Sequence, residues 1–264
     1  MKIISIIYLT YLIFLNVLIA QVSGISASKL SAVNTATVPE NTLEFEPSFL
    51  LGFSSKLWNE EGNLIHSFDG KNSLETTSQL NFRFTYGVIN KLEAGVSIPG
   101  DASSLSVGLK YNFLNWDKNS FAFLAGFNTP LGNKIYTISN KTNSVDEFDN
   151  SLATGIVCSR SFTKNLSLDL NFESQFHIDN TTGIPDYFIN ADLGYYLNKI
   201  QLILGLYYMS ISHVKNSKKL TINIGTTIER NDDFILVLNF PVDIYGINTK
   251  QFWGFAFAFT YPIK

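Results

Sequence analysis

The chain has 264 residues, room for one sizeable domain or two small ones, and its formal net charge of -3 gives no reason to expect nucleic acid as a partner. Its single cysteine, Cys158, excludes an intramolecular disulfide and a CxxC zinc or redox site, and reads as a small apolar strand residue. With 22 Phe and 12 Tyr against 2 Met, the composition favours strands.

Residues 1–20 read as an export signal. Lys2 supplies the positive start, residues 3–20 are almost wholly apolar, and Ala20-Gln21 is a plausible cleavage point. A retained membrane anchor is the alternative, because the run is near spanning length. No cysteine follows the run, which argues against a lipoprotein. Residues 21–40 are small and polar, contain no aromatic and look like a flexible lead-in to a domain over 41–264. From Asn41 onward, apolar residues recur at every second position, in segments of about ten separated by turn residues.

Twelve such segments begin near residues 41, 75, 91, 104, 120, 150, 166, 186, 199, 219, 233 and 250. In "LNFRFTYGV" (80–88), Leu80, Phe82, Phe84, Tyr86 and Val88 share one face, and Asn81, Arg83, Thr85 and Gly87 the other. "LSLDLNFESQFHI" (166–178), "LTINIGTTIE" (220–229) and "LSVGLKYNF" (105–113) follow the same rule, and none shows the 3.6-residue period of a helix. The sixth and ninth segments are the least regular. Odd-numbered connections are expected to be long and even-numbered ones short, with "NWDKNS" of middling length. Such alternation suits an up-and-down antiparallel sheet with all long loops at one end.

In a soluble β protein the apolar face would point inward. In an outer-membrane barrel it would meet lipid, and the polar face would line the lumen. Four observations favour lipid. A twelve-stranded barrel is too wide for side chains of an apolar face to fill. Ten tilted residues cross the hydrocarbon layer. The loop lengths alternate as in outer-membrane barrels. Trp58, Trp116 and Trp253, with Tyr86, Tyr111, Tyr187 and Tyr261, fall near strand ends, where interfacial aromatic girdles sit. The last segment, "FWGFAFAFTY", alternates Trp253, Phe255, Phe257, Phe259 and Tyr261 with small residues. It resembles the terminal strand read by the outer-membrane assembly machinery, although "PIK" follows it. The expected fold is an all-β, up-and-down antiparallel transmembrane β-barrel of about 12 strands. It would be a monomer in the outer membrane of a Gram-negative bacterium, surrounded by lipid.

Residues 84–134 carry a more specific pattern. "TYGVINKLEAGVSIPG" contains Tyr86, Gly87, Leu92, Glu93, Gly95, Val96 and Pro99 at matching positions. "SSLSVGLKYNFL" contributes Leu105, Gly108, Leu109, Lys110 and Tyr111, and "FAFLAGFNTPLGNK" contributes Pro130 and Gly132. The stretch resembles a family of outer-membrane transporters named for the MetA pathway of phenol degradation. "GDASS" stands where that family has a GxGD stretch. The resemblance implies an outer-membrane barrel with a channel or transport role, and names no substrate.

On the lipid reading the lumen would be lined by Arg83, Glu93, Lys110, Asp169, Glu173, His177, Asp192 and Glu229. These charges either neutralise one another and hold a closed barrel together, or tune passage of a small polar solute. An open lumen would prefer cations weakly, since carboxylates outnumber bases on this face. No cofactor or metal is expected: the acidic run "VDEFDN" (145–150) lacks the spaced ligands of a calcium loop, and "GKNS" at Gly70 lacks the glycine and context of a phosphate loop. No enzyme is expected either. His66, His177 and His213 lie in no H-x-S spacing, and His177 with Asp179 is at most a lone pair of the kind an omptin-like protease uses. Passage of an unidentified small solute is the leading function. A non-conducting structural or adhesive barrel, binding partners through residues 59–74 and 130–149, is the alternative.

Overall fold

The computed structural model describes residues 22–26, 30–67, 74–131, 134–138, 141–145, 150–178, 183–212, 216–231 and 234–263. The proposed export signal lies outside them. In chain order the strands are β1 (Leu43–Ser54), β2 (Lys56–Trp58), β3 (Leu64–His66), β4 (Glu75–Ile89), β5 (Leu92–Pro99) and β6 (Ser104–Trp116). There follow β7 (Asn119–Pro130), β8 (Lys134–Ile138), β9 (Lys141–Val145), β10 (Ser151–Ser161), β11 (Leu166–His177) and β12 (Asp186–Leu197). The last are β13 (Ile200–Ile211), β14 (Ser217–Asn231), β15 (Phe234–Ile247), β16 (Thr249–Lys250) and β17 (Trp253–Ile263). Twelve of them close one barrel in the order β1-β17-β15-β14-β13-β12-β11-β10-β7-β6-β5-β4. Each of the twelve alternating segments corresponds to one barrel strand.

The burial pattern is inverted relative to a water-soluble protein. Lys110, Glu93, Glu173 and Asp192 are fully buried, whereas Leu204, Ile224 and Phe172 are exposed. A twelve-stranded wall carries its apolar residues outward because lipid, unlike water, accepts them, and its charged residues inward because lipid does not. On β17 the aromatics point outward and extend sideways onto neighbouring strands. Phe53 and Trp253 stack at 4.6 Å, and Phe240 meets Phe255 at 5.0 Å. Gly254, Ala256, Ala258 and Thr260 fill the inner side, which answers the asymmetry of this strand.

The turns at 90–91, 117–118 and 198–199 are two residues long, and Asn198 and Asp117 take positive φ there, as short polar side chains tolerate. The predicted alternation needs two changes. The third connection, 100–103, is a four-residue turn rather than a long loop, and "NWDKNS" reduces to a tight hairpin because the strands run on to Trp116 and from Asn119. At the long-loop end, β16, β2 and β3 form a small three-stranded sheet, and β8 and β9 form a hairpin. Lys250 Nζ reaches Glu75 Oε2 at 2.6 Å and ties that small sheet to the start of β4.

Trp58 differs from the expectation of a lipid-facing girdle. It lies in the small sheet, is buried, and packs where a Cβ on Gly246 would stand. Nearness to a strand end does not put it on the outer surface, because after Ser54 the chain pairs with β16 and β3, and Trp58 packs beside Gly246 and Thr249. Trp116, Trp253, Tyr86, Tyr111 and Tyr261 are exposed on the outside, as is Tyr187.

Candidate functional site

The barrel lumen is filled by the chain's own N-terminal segment. The expectation of a flexible lead-in is corrected here: residues 22–26 and 30–40 run through the lumen, and Val22, Ile25, Ala32, Val33 and Val38 are buried. At its end the segment joins the wall through a parallel bridge between Glu40 and Gly87. Asn41 N–H donates to Gly87 O at 2.9 Å, and β1 begins directly afterwards. The plug is therefore tethered at the end where β4 and β5 make their tight turn.

Two features of the wall receive it. The first is a row of small inward residues. Thr85, Gly95, Gly108, Gly126 and Ala153 are successive cross-strand partners on β4, β5, β6, β7 and β10. The plug crosses this row backbone first. A Cβ on Gly95 would stand 1.9 Å from Gly24 O, one on Gly108 2.1 Å from Ser23 O, and one on Gly126 3.1 Å from Val22. Gly87 is cleared in the same way for Pro39 O. Only glycine leaves room for so close a backbone approach.

The second feature is a set of carboxylates that accept the plug's backbone N–H groups. Glu93 accepts from Ser26 N at 2.7 Å, Val38 N at 2.7 Å and the Ser26 hydroxyl at 2.6 Å. Asp192 Oδ2 accepts from the N–H groups of Leu30, Ser31 and Ala32 at 2.8, 3.0 and 3.0 Å, and its Oδ1 accepts from Ser31 Oγ. Glu173 accepts from Val22 N at 2.8 Å and from Asn171 Nδ2. Bonds to ionised acceptors contribute about 1.5–3 kcal/mol each, and they satisfy plug amides that have no strand partner.

Neutral groups complete the cradle. Asn171 Oδ1 accepts from Val33 N, Thr85 Oγ1 donates to Gly24 O, and Ser159 Oγ accepts from Thr35 N while donating to Asp169. Val22, Ile25 and Val33 also pack on Ala122, Leu124, Ala153 and Val157. Lys110 is the cation at the centre. Its Nζ lies 3.1 Å from Glu93 Oε1 and donates to Ser26 O at 3.0 Å, with both side chains at 0% exposure.

Of the eight residues expected to line the lumen, Glu93, Lys110, Asp169, Glu173 and Asp192 thus gather round the plug. Arg83 faces inward at the barrel seam, where it pairs with Glu44 at 3.1 Å and Glu46 at 2.6 Å. His177 sits nearer the long-loop end with its Nε2 2.9 Å from Asp186 Oδ2; Asp179, its expected partner, lies outside the described residues. Glu229 is exposed at the short-turn end and joins no cluster with the others. His66 is on the exposed strand β3, apart from His177, while Gly70 and His213 lie outside the described residues, as do 146–149 of the acidic run. Gly87, Gly95 and Gly108 stand out in the sequence only as parts of a pattern, and Ser26, Ser31 and Asn112, whose Nδ2 donates to Thr35 O at 3.0 Å, not at all; their roles depend on the plug being in place.

A family model described as a membrane bound beta barrel domain (DUF5777) matches residues 61–234, more than half of the chain. The chain belongs to this family. It is an outer-membrane β-barrel, and the DUF5777 match runs from the outer loop before β4 to the start of β15. No curated protein matches the sequence.

Solved structures share the fold at low identity. The COG4313 outer membrane channel from Pseudomonas putida F1 superposes with a TM-score of 0.69 at 12% identity, covering 89% of this chain and 100% of that one. The KdgM porin in complex with disordered oligogalacturonate gives 0.53 at 10% identity, covering 83% and 98%. The Pseudomonas putida toluene transporter TodX gives 0.50 at 11%, covering 90% and 95%.

Proposed function

We propose that this protein is a gated outer-membrane channel for small solutes, closed at rest by residues 22–26 and 30–40 of its own chain. The observation that carries this reading is how the plug is held. Its amides end on Glu93, Glu173 and Asp192, acceptors that water can serve equally well, and the segment is joined to the wall by no covalent bond other than the chain itself. A permanent filling of the lumen would need only apolar packing, since well-packed hydrophobic residues replace buried ionic groups at no loss of stability. A cradle of carboxylates is suited to a segment that leaves.

The likeness of residues 84–134 to the MetA-pathway transporters supports the same reading, because its inward residues Gly87, Glu93, Gly95, Gly108 and Lys110 all touch the plug. The solved channels and porins named above share the architecture. We take residues 1–20 as a signal removed before folding, since a retained apolar run would precede a buried Val22. The barrel acts as a monomer, is inserted by the assembly machinery acting on β17, and carries out no covalent step. His177 and Asp186 serve as a rim contact in this reading.

The test is conductance in planar bilayers. Wild-type barrels should be mostly closed with brief openings, and a plug-loosening Ser31→Pro change should raise the open fraction at least about tenfold, since it deletes an N–H and a hydroxyl that both bind Asp192. A folded Ser31→Pro barrel with a released plug and no current would exclude a channel. The second reading, a non-conducting adhesive barrel, draws on the ordered sheet of β16, β2 and β3 at the long-loop end. It requires partner binding that is lost, with the barrel still folded, when residues 59–74 and 130–149 are deleted.

A further inference from the structure

One part of the inner wall offers more than a resting plug uses. β11 and β12 set Asp169 opposite Asp192 and Asn171 opposite Asn190, on successive inward rungs. Glu173 is the next inward residue on β11. All five are 3% exposed or less. Carboxylates directly opposite each other on adjacent strands repel unless positive charge or hydrogen-bond donors lie between them.

Among the described residues, the bonds to Asp192 come entirely from the plug: the N–H groups of Leu30, Ser31 and Ala32 and the Ser31 hydroxyl. Glu173 is bonded by Val22 N and Asn171 Nδ2. Neither amino acid has an ion-pair partner there. Asn190 is wholly buried, yet among the described residues neither its amide oxygen nor its amide nitrogen has a hydrogen-bond partner. A buried amide in that state points to a ligand with both donor and acceptor needs, since such groups are otherwise satisfied.

Along this wall the plug behaves as a ladder of N–H donors. It donates three times to Asp192, once to Asn171 through Val33 and once to Glu173 through Val22. A solute with several N–H groups and a positive charge would supply the same donors together with the charge that backbone amides lack, and charge-assisted bonds are the stronger kind. Among the described residues, no three His, Cys, Asp or Glu side chains converge to hold a metal ion, so an organic cation suits the wall better.

We propose that the β11–β12 wall is a binding site for small organic cations of the amine or guanidinium class, and that residues 30–33 occupy it in the closed state as an internal surrogate for that solute. The proposal rests on the channel reading and adds its substrate class. Opening the lumen then exposes the site, and solute and plug compete for it.

The experiment uses the full chain with Gly87→Ala and Gly108→Ala. The three nearest atoms to each new Cβ belong to the plug, so the change acts on the plug and leaves β11 and β12 unaltered. Ser31→Pro serves as a second opening variant should the first fold poorly. Plug release is read by loss of hydrogen-exchange protection at the amides of 30–33, and current is recorded in planar bilayers under a potassium chloride gradient with agmatine as the probe. The expected result is cation selectivity, block of the current by agmatine, and a block weakened about tenfold or more by adding Asp192→Asn. Anion selectivity, or agmatine block indifferent to Asp192→Asn, overturns the cation site while the channel stands. A released plug with no current at all overturns the channel reading and the site with it.

Discussion

Replacing Lys110 by Met isolates what holds the plug. In the native barrel Lys110 Nζ lies 3.1 Å from Glu93 Oε1, and neither side chain touches solvent. Removing one partner of such a pair leaves an uncompensated buried charge and costs about 3–5 kcal/mol. Glu93 keeps the donors of Ser26 and Val38, which places the loss near the lower end, about 3 kcal/mol. The molecule can relieve that loss in two ways. It can unfold the barrel, whose backbone ladders include Glu93 but make no use of its carboxylate, or it can release the plug and let water reach that carboxylate. Release is the smaller rearrangement. A 3 kcal/mol loss corresponds to roughly a hundredfold rise in the released population. Hydrogen exchange in detergent micelles should therefore show the Ser26 and Val38 amides losing about a hundredfold in protection, with strand amides little changed. Adding Glu93→Gln should restore part of the protection by removing the stranded charge. Exchange at Ser26 and Val38 within threefold of wild type in Lys110→Met would refute the reasoning.

Other expectations concern the wall and its rim. Leu204 is 53% exposed near the middle of β13, and Leu204→Arg should destabilise the barrel by about 2–4 kcal/mol in urea titrations from lipid vesicles. Trp58→Ala should open the small sheet of β2, β3 and β16, seen as faster proteolysis between residues 55 and 74, while heat-modifiable gel migration of the barrel is retained. His177→Ala should leave conductance and plug protection within about twofold of wild type, because its partner Asp186 also accepts from Ser212 N and the pair sits nearer the long-loop end than the carboxylates that hold the plug.

The barrel was legible because its signal repeats. Outward Phe, Leu and Ile alternate with inward Asp, Asn, Gly and Thr in most barrel strands, β10 and β13 being the exceptions, and a period of two survives local irregularities such as the extra residues at Phe113 on β6 and Ile244 on β15. Glu93, Lys110, Glu173 and Asp192 could be assigned to the inner face on that basis alone. What faces them could not. The plug is held through its backbone N–H groups, which every residue except proline possesses, so residues 22–40 look like an ordinary linker. The informative mark was on the opposite surface. Gly95, Gly108 and Gly126 stand at inward positions of three consecutive strands, and only pairing register brings them into one row. Trp58 failed for a similar reason, since distance along the chain from a strand end carries no record of which way the loop folds.

The bridge of Glu40 to Gly87 leaves only a few residues between the last buried plug position, Val38, and the first residue of β1. A stopper on so short a leash is confronted with its seat at an effective concentration of at least the millimolar order, whatever the abundance of the protein. On the gated reading proposed above, reclosure is therefore a first-order event belonging to each molecule separately, and a competitor arriving from outside must act repeatedly or reach comparable local density to keep the passage clear.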